Sequence, residues 1–469
     1  MDLAETISHM RHVRVLIEVA TDPFHNQEKE QDLLATHLLS FCLRQGMLNV
    51  MLYFQQWMRA LQLYSYEAFP EFKLLKQSFK KQIHLYSRKL DNLRGYALRV
   101  MPDKSEPNTI LYRDGQGQLR VTGYLWKFIA TFAKKHRAQL QLIGDPRRLD
   151  SSINHLQMLN YIRSNMADVG LTTQSIPEKH MQWYYFYSYP MSFGSWCVML
   201  PLERPVSVRA VMGRVLRAEA LAVLLLCVIL LVSVPLLLRW LRQRPRFLTP
   251  LCALAMLVLC ASQAQILSLL IARPASDSIN SFDALLASDL RIFGLRAEFD
   301  YMDGAFRAKY ARAFHLTSNW SEFHAMRRTF NESYAYSITT MKWEVMATQQ
   351  RHFARALFRY SKDLCFNDFI PFRLLVPEQT VFRKALKHFI LETHQSGLLD
   401  FWVRHSFYDM VKADRITIRD YSEKKKLERL QLKDYQDILL WFLGGLLLAI
   451  LAFVVELLGF YVKRYLNYL

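Results

Sequence analysis

Residues 221–272 read LAVLLLCVILLVSVPLLLRWLRQRPRFLTPLCALAMLVLCASQAQILSLLIA, two charge-free apolar runs on either side of four arginines. The first run, Leu221–Leu238, has 18 residues and the second, Phe247–Ala272, has 26. A third, Ile438–Val455, also has 18, then meets Glu456 and continues LLGFYV. At ~1.5 Å per residue, about 20 apolar residues cross a ~30 Å hydrocarbon core, whereas the buried helices of soluble domains are usually shorter and interrupted by charge. The runs therefore predict three membrane spans, at 217–239, 247–272 and 438–462. Trp240, Trp441 and Tyr461 stand at span ends, where amphipathic rings favour the interface.

Working outward, the short segment between the first two runs carries Arg239, Arg242, Arg244 and Arg246 and no acid. Short arginine-rich loops stay on the cytoplasmic side, so 240–246 is expected inside, with the tail 463–469 and its Lys463 and Arg464. Both large segments, 1–220 and 273–437, then lie outside. The sequons at Asn319 and Asn331, expected glycosylation sites, agree with that side. Arg209, Arg214, Arg217 and the Lys424–Lys426 run weigh the other way, but the compact loop is the cleaner signal. At the N-terminus the best apolar run, Val15–Ala20, is broken by Glu18, so a cleaved signal peptide is not expected.

Composition narrows the function classes. The chain has 469 residues, 60 Lys and Arg against 41 Asp and Glu, 52% hydrophobic residues, and 15 each of Gly and Pro. That excludes disordered and collagen-like chains. The net charge of +19 is spread over both large segments rather than striped, so no nucleic-acid surface is expected. Six cysteines without a C-x-x-C pair make neither a disulfide scaffold nor a zinc ribbon. HExxH, Walker and G-x-S-x-G motifs are all missing. His352, His388, His394 and His405 lack metal-ligand spacing. An enzyme, a metal site and a cofactor are therefore not expected.

Residues 93–143 predict strand, turn, strand, helix, strand. Tyr96–Met101 reads as a strand, and Arg113-Asp-Gly-Gln-Gly117 as a hairpin turn rather than a nucleotide loop. Leu125–Phe132 has helical apolar spacing, and Leu140–Ile143 is a short strand. Leu33–Leu43 and Met47–Leu61 also have near-helical spacing.

The order of several short motifs then becomes familiar. Asn92-Leu-Arg-Gly95, Gly123-Tyr124, Ala167-Asp-Val-Gly170, Tyr189-Pro190 and Met199-Leu-Pro201 precede the first two spans. Ile279–Leu285 (INSFDAL), Asn331–Tyr336 (NESYAY), Leu357–Cys365 (LFRYSKDLC) and Gly397–Trp402 (GLLDFW) follow them, and Phe453-Val-Val-Glu-Leu457 ends the third. In that order, over about residues 90–460, the chain resembles the divergent insect ionotropic receptors, a chemosensory branch of the ionotropic glutamate receptor superfamily. The resemblance implies an α/β bilobed clamshell of the periplasmic-binding-protein kind, split by a membrane hairpin. Residues 91–216 would form its first half and 273–437 its second, after an abbreviated N-terminal region, 1–90. It further implies a ligand-gated cation channel for taste or odour in the plasma membrane of sensory neurons. The expected partners are a small-molecule stimulus and co-receptor subunits of the same family, in a heterotetramer. Closure on ligand would pull the second span, the gate helix.

By position, the resemblance brings Thr173, Ser175, His180 and Thr339 to the ligand cleft. The family's carboxylate-binding arginine falls on His180 or Met181, and its amine-binding acid near Thr339, so glutamate and glycine are not the expected ligands. Cys365 finds no later cysteine, so the family's disulfide there is expected to be absent, and a link to Cys197 is not expected either. In the gate helix the family's consensus is replaced by Ser262, Gln263 and Gln265, polar side chains expected to face a bundle or water. A re-entrant pore loop needs several tens of residues, and the Arg239–Arg246 segment has eight. The filter is therefore expected from a co-receptor; the alternative is a membrane-tethered binding protein or non-conducting subunit.

Overall fold

The computed structural model describes residues 2–20, 28–55, 62–78, 86–103, 105–144, 155–174, 183–203, 206, 278–422 and 436–466, with single positions between 229 and 268. The chain falls into two compact units, Met1–Pro201 with Asn280–Ser422, and Leu202–Ile279 with Glu423–Leu469.

The first unit is mixed α/β. It starts with α1 (Asp2–Thr6), β1 (Val15–Val19), α2 (Glu28–Arg44), β2 (Val50–Phe54), β3 (Gln62–Glu67) and β4 (Lys73–Ser78). The four strands form one sheet in sequence order, β1 parallel to β2 and the rest antiparallel. Here one expectation fails: within Met47–Leu61, Val50–Phe54 is a strand, not a helix. VMLYF is almost wholly buried between two neighbouring strands. A short continuous apolar run of this kind cannot be assigned by periodicity.

Next come β5 (Ala97–Pro102), β6 (Ile110–Arg113), β7 (Leu119–Thr122), α3 (Tyr124–Lys135), β8 (Gln139–Leu142), α4 (His155–Arg163), β9 (Val169–Gln174) and β10 (Ser192–Pro201). Strands β6 and β7 form a hairpin closed by the Asp114–Gly117 turn, in which Asp114 Oδ1 accepts from the Gln116 and Gln118 amides. After the chain returns there follow α5 (Phe282–Ala287), β11 (Ile292–Leu295), α6 (Arg296–Asp300), α7 (Gly304–Tyr310), β12 (Phe314–Thr317), α8 (Trp320–Arg328), β13 (Ala335–Thr339), α9 (Thr340–Gln350), β14 (Phe358–Leu375), α10 (Arg383–Gln395) and α11 (Leu398–Lys412).

Eight of these strands form one sheet, in the order β12-β11-β13-β10-β14-β9-β5-β8. At one end β5 is parallel to β8 and β9; at the other, β11 is parallel to β12 and β13. Antiparallel β10 and β14 join the two ends. Their register, from Ser192 opposite Phe372 to Pro201 opposite Phe358, sets Cys197 opposite Cys365, and the two form a disulfide. This corrects the expectation that Cys365 is unpaired. The link to Cys197, which was not expected either, forms because the strand that pairs with β14 carries its cysteine 168 residues earlier in the chain.

Helix α3 shows how sequence spacing becomes packing. Tyr124, Leu125, Phe128, Ile129, Phe132 and Ala133 recur at helical intervals and are all buried. All but Ala133 join Leu39 of α2, Leu52 of β2, Leu98 and Val100 of β5, Leu374 of β14, Phe389 of α10 and Trp402 of α11 in one core. Each large apolar side chain so buried contributes about 1.5–3 kcal/mol. Ala4, Ala35, Val50, Phe54, Tyr64 and Tyr66 from the N-terminal segment belong to this core as well. A second core unites Met199 of β10 with Phe293 and Leu295 of β11, Phe323 of α8 and Tyr336 and Ile338 of β13.

In the second unit α12 (Gln436–Leu466) is helical, and its Phe442–Val462 stretch is 21 residues long with a mean hydropathy of 2.4 and no buried positions. It is long and apolar enough to cross a membrane. Every described position between 253 and 268 is also helical.

Candidate functional site

The site is built on the loop that follows β5. Asp103 is 3% exposed, and its carboxylate accepts from the Ser105 amide at 3.0 Å, Asn108 Nδ2 at 2.6 Å and Thr109 Oγ1 at 2.7 Å. Burial pushes this carboxyl up to about 6, against the pull of those hydrogen bonds. Asn108 Oδ1 in turn accepts from the Tyr124 hydroxyl at 2.9 Å, which lies 3.1 Å from Thr173 Oγ1. Gly123, ahead of α3, holds a φ of +105°, and a Cβ there would lie 2.5 Å from the Asn108 carbonyl oxygen. Only glycine allows so close an approach at that φ. The loop is thereby fixed, and it projects Glu106 towards α8, α9 and the segment after α11.

Between these elements lies a cavity of about 510 Å³, lined on the loop side by Glu106, Pro107, Thr109, Ile110 and Leu111. Opposite stand His324, Arg327 and Arg328 of α8 and Lys342, Val345 and Met346 of α9, with Met410, Arg415 and Ile416 beyond. The size suits a small organic molecule. Ile110, Val345, Met410 and Ile416 also pack with Phe407 in a small apolar cluster that forms part of its wall.

The charges are unequal. Glu106 accepts from Arg328 and pairs with Arg415 Nε at 3.3 Å. Arg327, 8% exposed, donates to the Ser337 carbonyl at 3.2 Å and to His324 Nδ1 at 3.3 Å, and lies 4.8 Å from the centre of the Phe323 ring. None of these partners is an acid. Burial, more than any neighbour, lowers Arg327 to about 10, so it stays charged at neutral pH. Burial first, and then the charges of Arg327, Lys342 and Arg328, drive His324 down to about 2. That imidazole is neutral and free to accept from Arg327. Half-buried Lys342 is lowered by burial and by Arg327, partly offset by Glu298, Asp103 and Glu106. Among the described residues Lys342 has no hydrogen-bond or ion-pair partner.

Of the cleft residues expected from the sequence, Thr173 and Thr339 are described and do not line this cavity. Thr173 belongs to the Tyr124–Asn108 network at the base of the loop. Thr339 ends β13 opposite Trp196 and precedes α9 without a side-chain capping bond. Ser175 and His180 lie outside the described residues, as do Ser262, Gln265, Arg239, Arg242, Arg244 and Arg246, while Gln263 is helical and exposed. Asn319 caps α8, its Oδ1 accepting from the Ser321 and Glu322 amides at 3.0 and 3.3 Å. Asn331 Oδ1 accepts from the Ser333 amide at 2.9 Å. No group of three His, Cys, Asp or Glu among the described residues is placed to hold a metal ion.

Glu106, Arg327, Lys342 and Arg415 were not singled out from the sequence. A signal for two of them was there. Phe323 and Arg327 stand four apart on α8, and Lys342 stands four before Met346 on α9, so each cation occupies the apolar side of its helix. A charged residue at such a position has to be paired or poised for a ligand. A second polar cluster was also missed: Thr340 Oγ1 accepts from the Ser195 amide at 2.8 Å and lies 3.3 Å from the Tyr360 hydroxyl, tying α9 to β10 and β14.

No protein-family model matches the chain, and no curated protein matches it in sequence.

Proposed function

We propose that the chain is a ligand-gated cation-channel subunit for chemosensory detection, of the kind the divergent ionotropic receptors represent. The observation that carries this reading is the strand order of the larger sheet. Within the sheet, two parallel β/α ends, β8-β5-β9 and β12-β11-β13, are joined through antiparallel β10 and β14. The chain leaves the unit after β10 and returns before β11, so the first two apolar runs are inserted between the halves and the third follows the second half. On this reading the two ends are the lobes of a clamshell and β10 and β14 its hinge. The cavity between the Glu106 loop and α8 and α9 is where ligand draws the lobes together. A ligand does so only by binding the closed state better than the open one.

The rest of the receptor reading follows. Three spans hold the chain in the plasma membrane, both large segments face outward, and co-receptor subunits complete a heterotetramer. Co-expression in an oocyte with candidate co-receptors, followed by recording under a stimulus panel, tests it: a stimulus-evoked cation current that needs this chain is expected. Absence of such current with every co-receptor, while the chain reaches the surface, would overturn the reading. The eight-residue Arg239–Arg246 segment favours a second reading, a membrane-tethered binding subunit that does not conduct. Recording from the chain alone separates the two roles of the pore: a selective current without co-receptor would show that the short loop suffices.

A further inference from the structure

The lining of the cavity has four cationic side chains, Arg327, Arg328, Lys342 and Arg415, against one carboxylate, Glu106. Glu106 is already engaged by Arg328 and Arg415. Asp103 and Glu298 act on the cations from behind the wall, but each has its own donors: Ser105, Asn108 and Thr109 for Asp103, and Ser337 Oγ at 2.6 Å for Glu298. Even counting both, positive charge is in excess. Burying Arg327 without a hydrogen-bonded acid, beside a Lys342 that has no hydrogen-bond or ion-pair partner among the described residues, costs free energy that the charges of Glu298, Asp103 and Glu106 offset only in part. The remaining wall is apolar, from Ile110, Val345, Met346 and Met410.

We propose that this cavity binds a small organic anion, its acidic head on Lys342 and Arg327 and its short apolar body against Ile110, Val345, Met346 and Met410. The guanidinium gives the head a directional donor, the ammonium a point charge, and neutral His324 adds no competing charge. The head then ties α8 and α9 while the body touches the Glu106 loop, so one molecule contacts both ends of the sheet. For its role in signalling the proposal rests on the receptor reading; for binding it stands alone.

The test is calorimetric titration of the full-length chain in detergent with hexanoate, with hexanamide as its uncharged counterpart, and with inorganic phosphate as a head without a body. Hexanoate is expected to bind, hexanamide at least tenfold more weakly, and phosphate more weakly than hexanoate. Lys342→Met is expected to weaken hexanoate binding about tenfold or more, and Lys342→Arg to restore most of it. Should Lys342→Met fold poorly, Ala325→Glu serves instead: Ala325 lines the cavity from an exposed position on α8, and a carboxylate there should also repel hexanoate. Equal binding of hexanoate and hexanamide, phosphate binding as tight as hexanoate, or hexanoate binding indifferent to both Lys342→Met and Ala325→Glu would each overturn the proposal. The receptor reading fails separately. Hexanoate binding without current in any co-receptor pairing would leave the pocket and overturn the channel, and current evoked by other stimuli with no hexanoate binding would do the reverse.

Discussion

Two buried polar regions face each other across the cavity and are built on opposite plans. Behind the loop, the Asp103 carboxylate has three donors, and the Asn108 that serves it also accepts from Tyr124. Opposite, on α8 and α9, Arg327 has only a carbonyl and a neutral ring, and Lys342 has no partner among the described residues. A network that satisfies itself rigidifies a fold. A cationic face left open does not stabilise the chain that carries it, and its use lies in what it can bind. The difference between the two plans separates scaffold from site here.

The comparison breaks most directly at Asn108. Asn108→Leu removes a donor to buried Asp103 and the acceptor for the Tyr124 hydroxyl together, at roughly 1–3 kcal/mol for each orphaned group. Pulse proteolysis of the detergent-solubilised chain is expected to read a loss of about 4 kcal/mol. A loss below about 1 kcal/mol would mean that the network is not what holds the loop.

A smaller effect, and one with a sign, comes from Asp103 itself. Its carboxyl is raised from 3.8 to about 6, so over that interval the folded chain holds a proton that the unfolded chain has released. Stability from this group is therefore full below pH 3.8, falls as the pH rises to about 6, and is flat above. The whole change is about 3 kcal/mol. Asp103→Asn should lose that slope, whatever its absolute stability. Persistence of the slope in the variant would assign it to other groups.

How much of this was legible in the sequence depends on the range of the interaction that decides each feature. Local signals were legible: the β6–β7 turn, the apolar stripe of α3 and the length of α12 follow from composition and spacing within one element. Val50–Phe54 was not, because an apolar run with both faces buried has no period to read. The Cys197–Cys365 bond was not, because it depends on the register of two strands far apart in sequence. The cavity is the extreme case. Glu106, Arg327, Lys342 and Arg415 come from four separate segments, and only tertiary packing assembles them. Thr173, which the resemblance brings to the cleft by position, hydrogen-bonds with Tyr124 and Asn108 in the network behind the loop.

Lys342 stands on the open cationic side of the cavity. If Lys342 stands unpaired for a ligand's sake, exchanging it for an apolar residue of similar length removes a desolvation cost and no contact. Lys342→Met should therefore leave the ligand-free chain as stable as wild type or more so, by about 1 kcal/mol, while weakening binding. Destabilisation by 2 kcal/mol or more would mean that the ammonium holds the fold through the charges of Glu298, Asp103 and Glu106, and the two regions would be alike after all.

The smallest effect belongs to a pair that is neither scaffold nor site. Lys135, at the end of α3, bonds Glu392 of α10, with both side chains about half exposed. In water such a pair gains little Coulomb energy, and ordering two long side chains costs entropy. Lys135→Ala is expected to change stability by less than about 0.5 kcal/mol, and less still at high salt, in the same proteolysis assay. Lys135 thus calibrates Lys342. Both are lysines on helices of one unit; one has a carboxylate and is expected to matter little, the other has none and is expected to decide what the cavity binds. A large, salt-sensitive loss at Lys135 would undo that contrast, because charge at the surface would then be stabilising the fold as strongly as the buried network does.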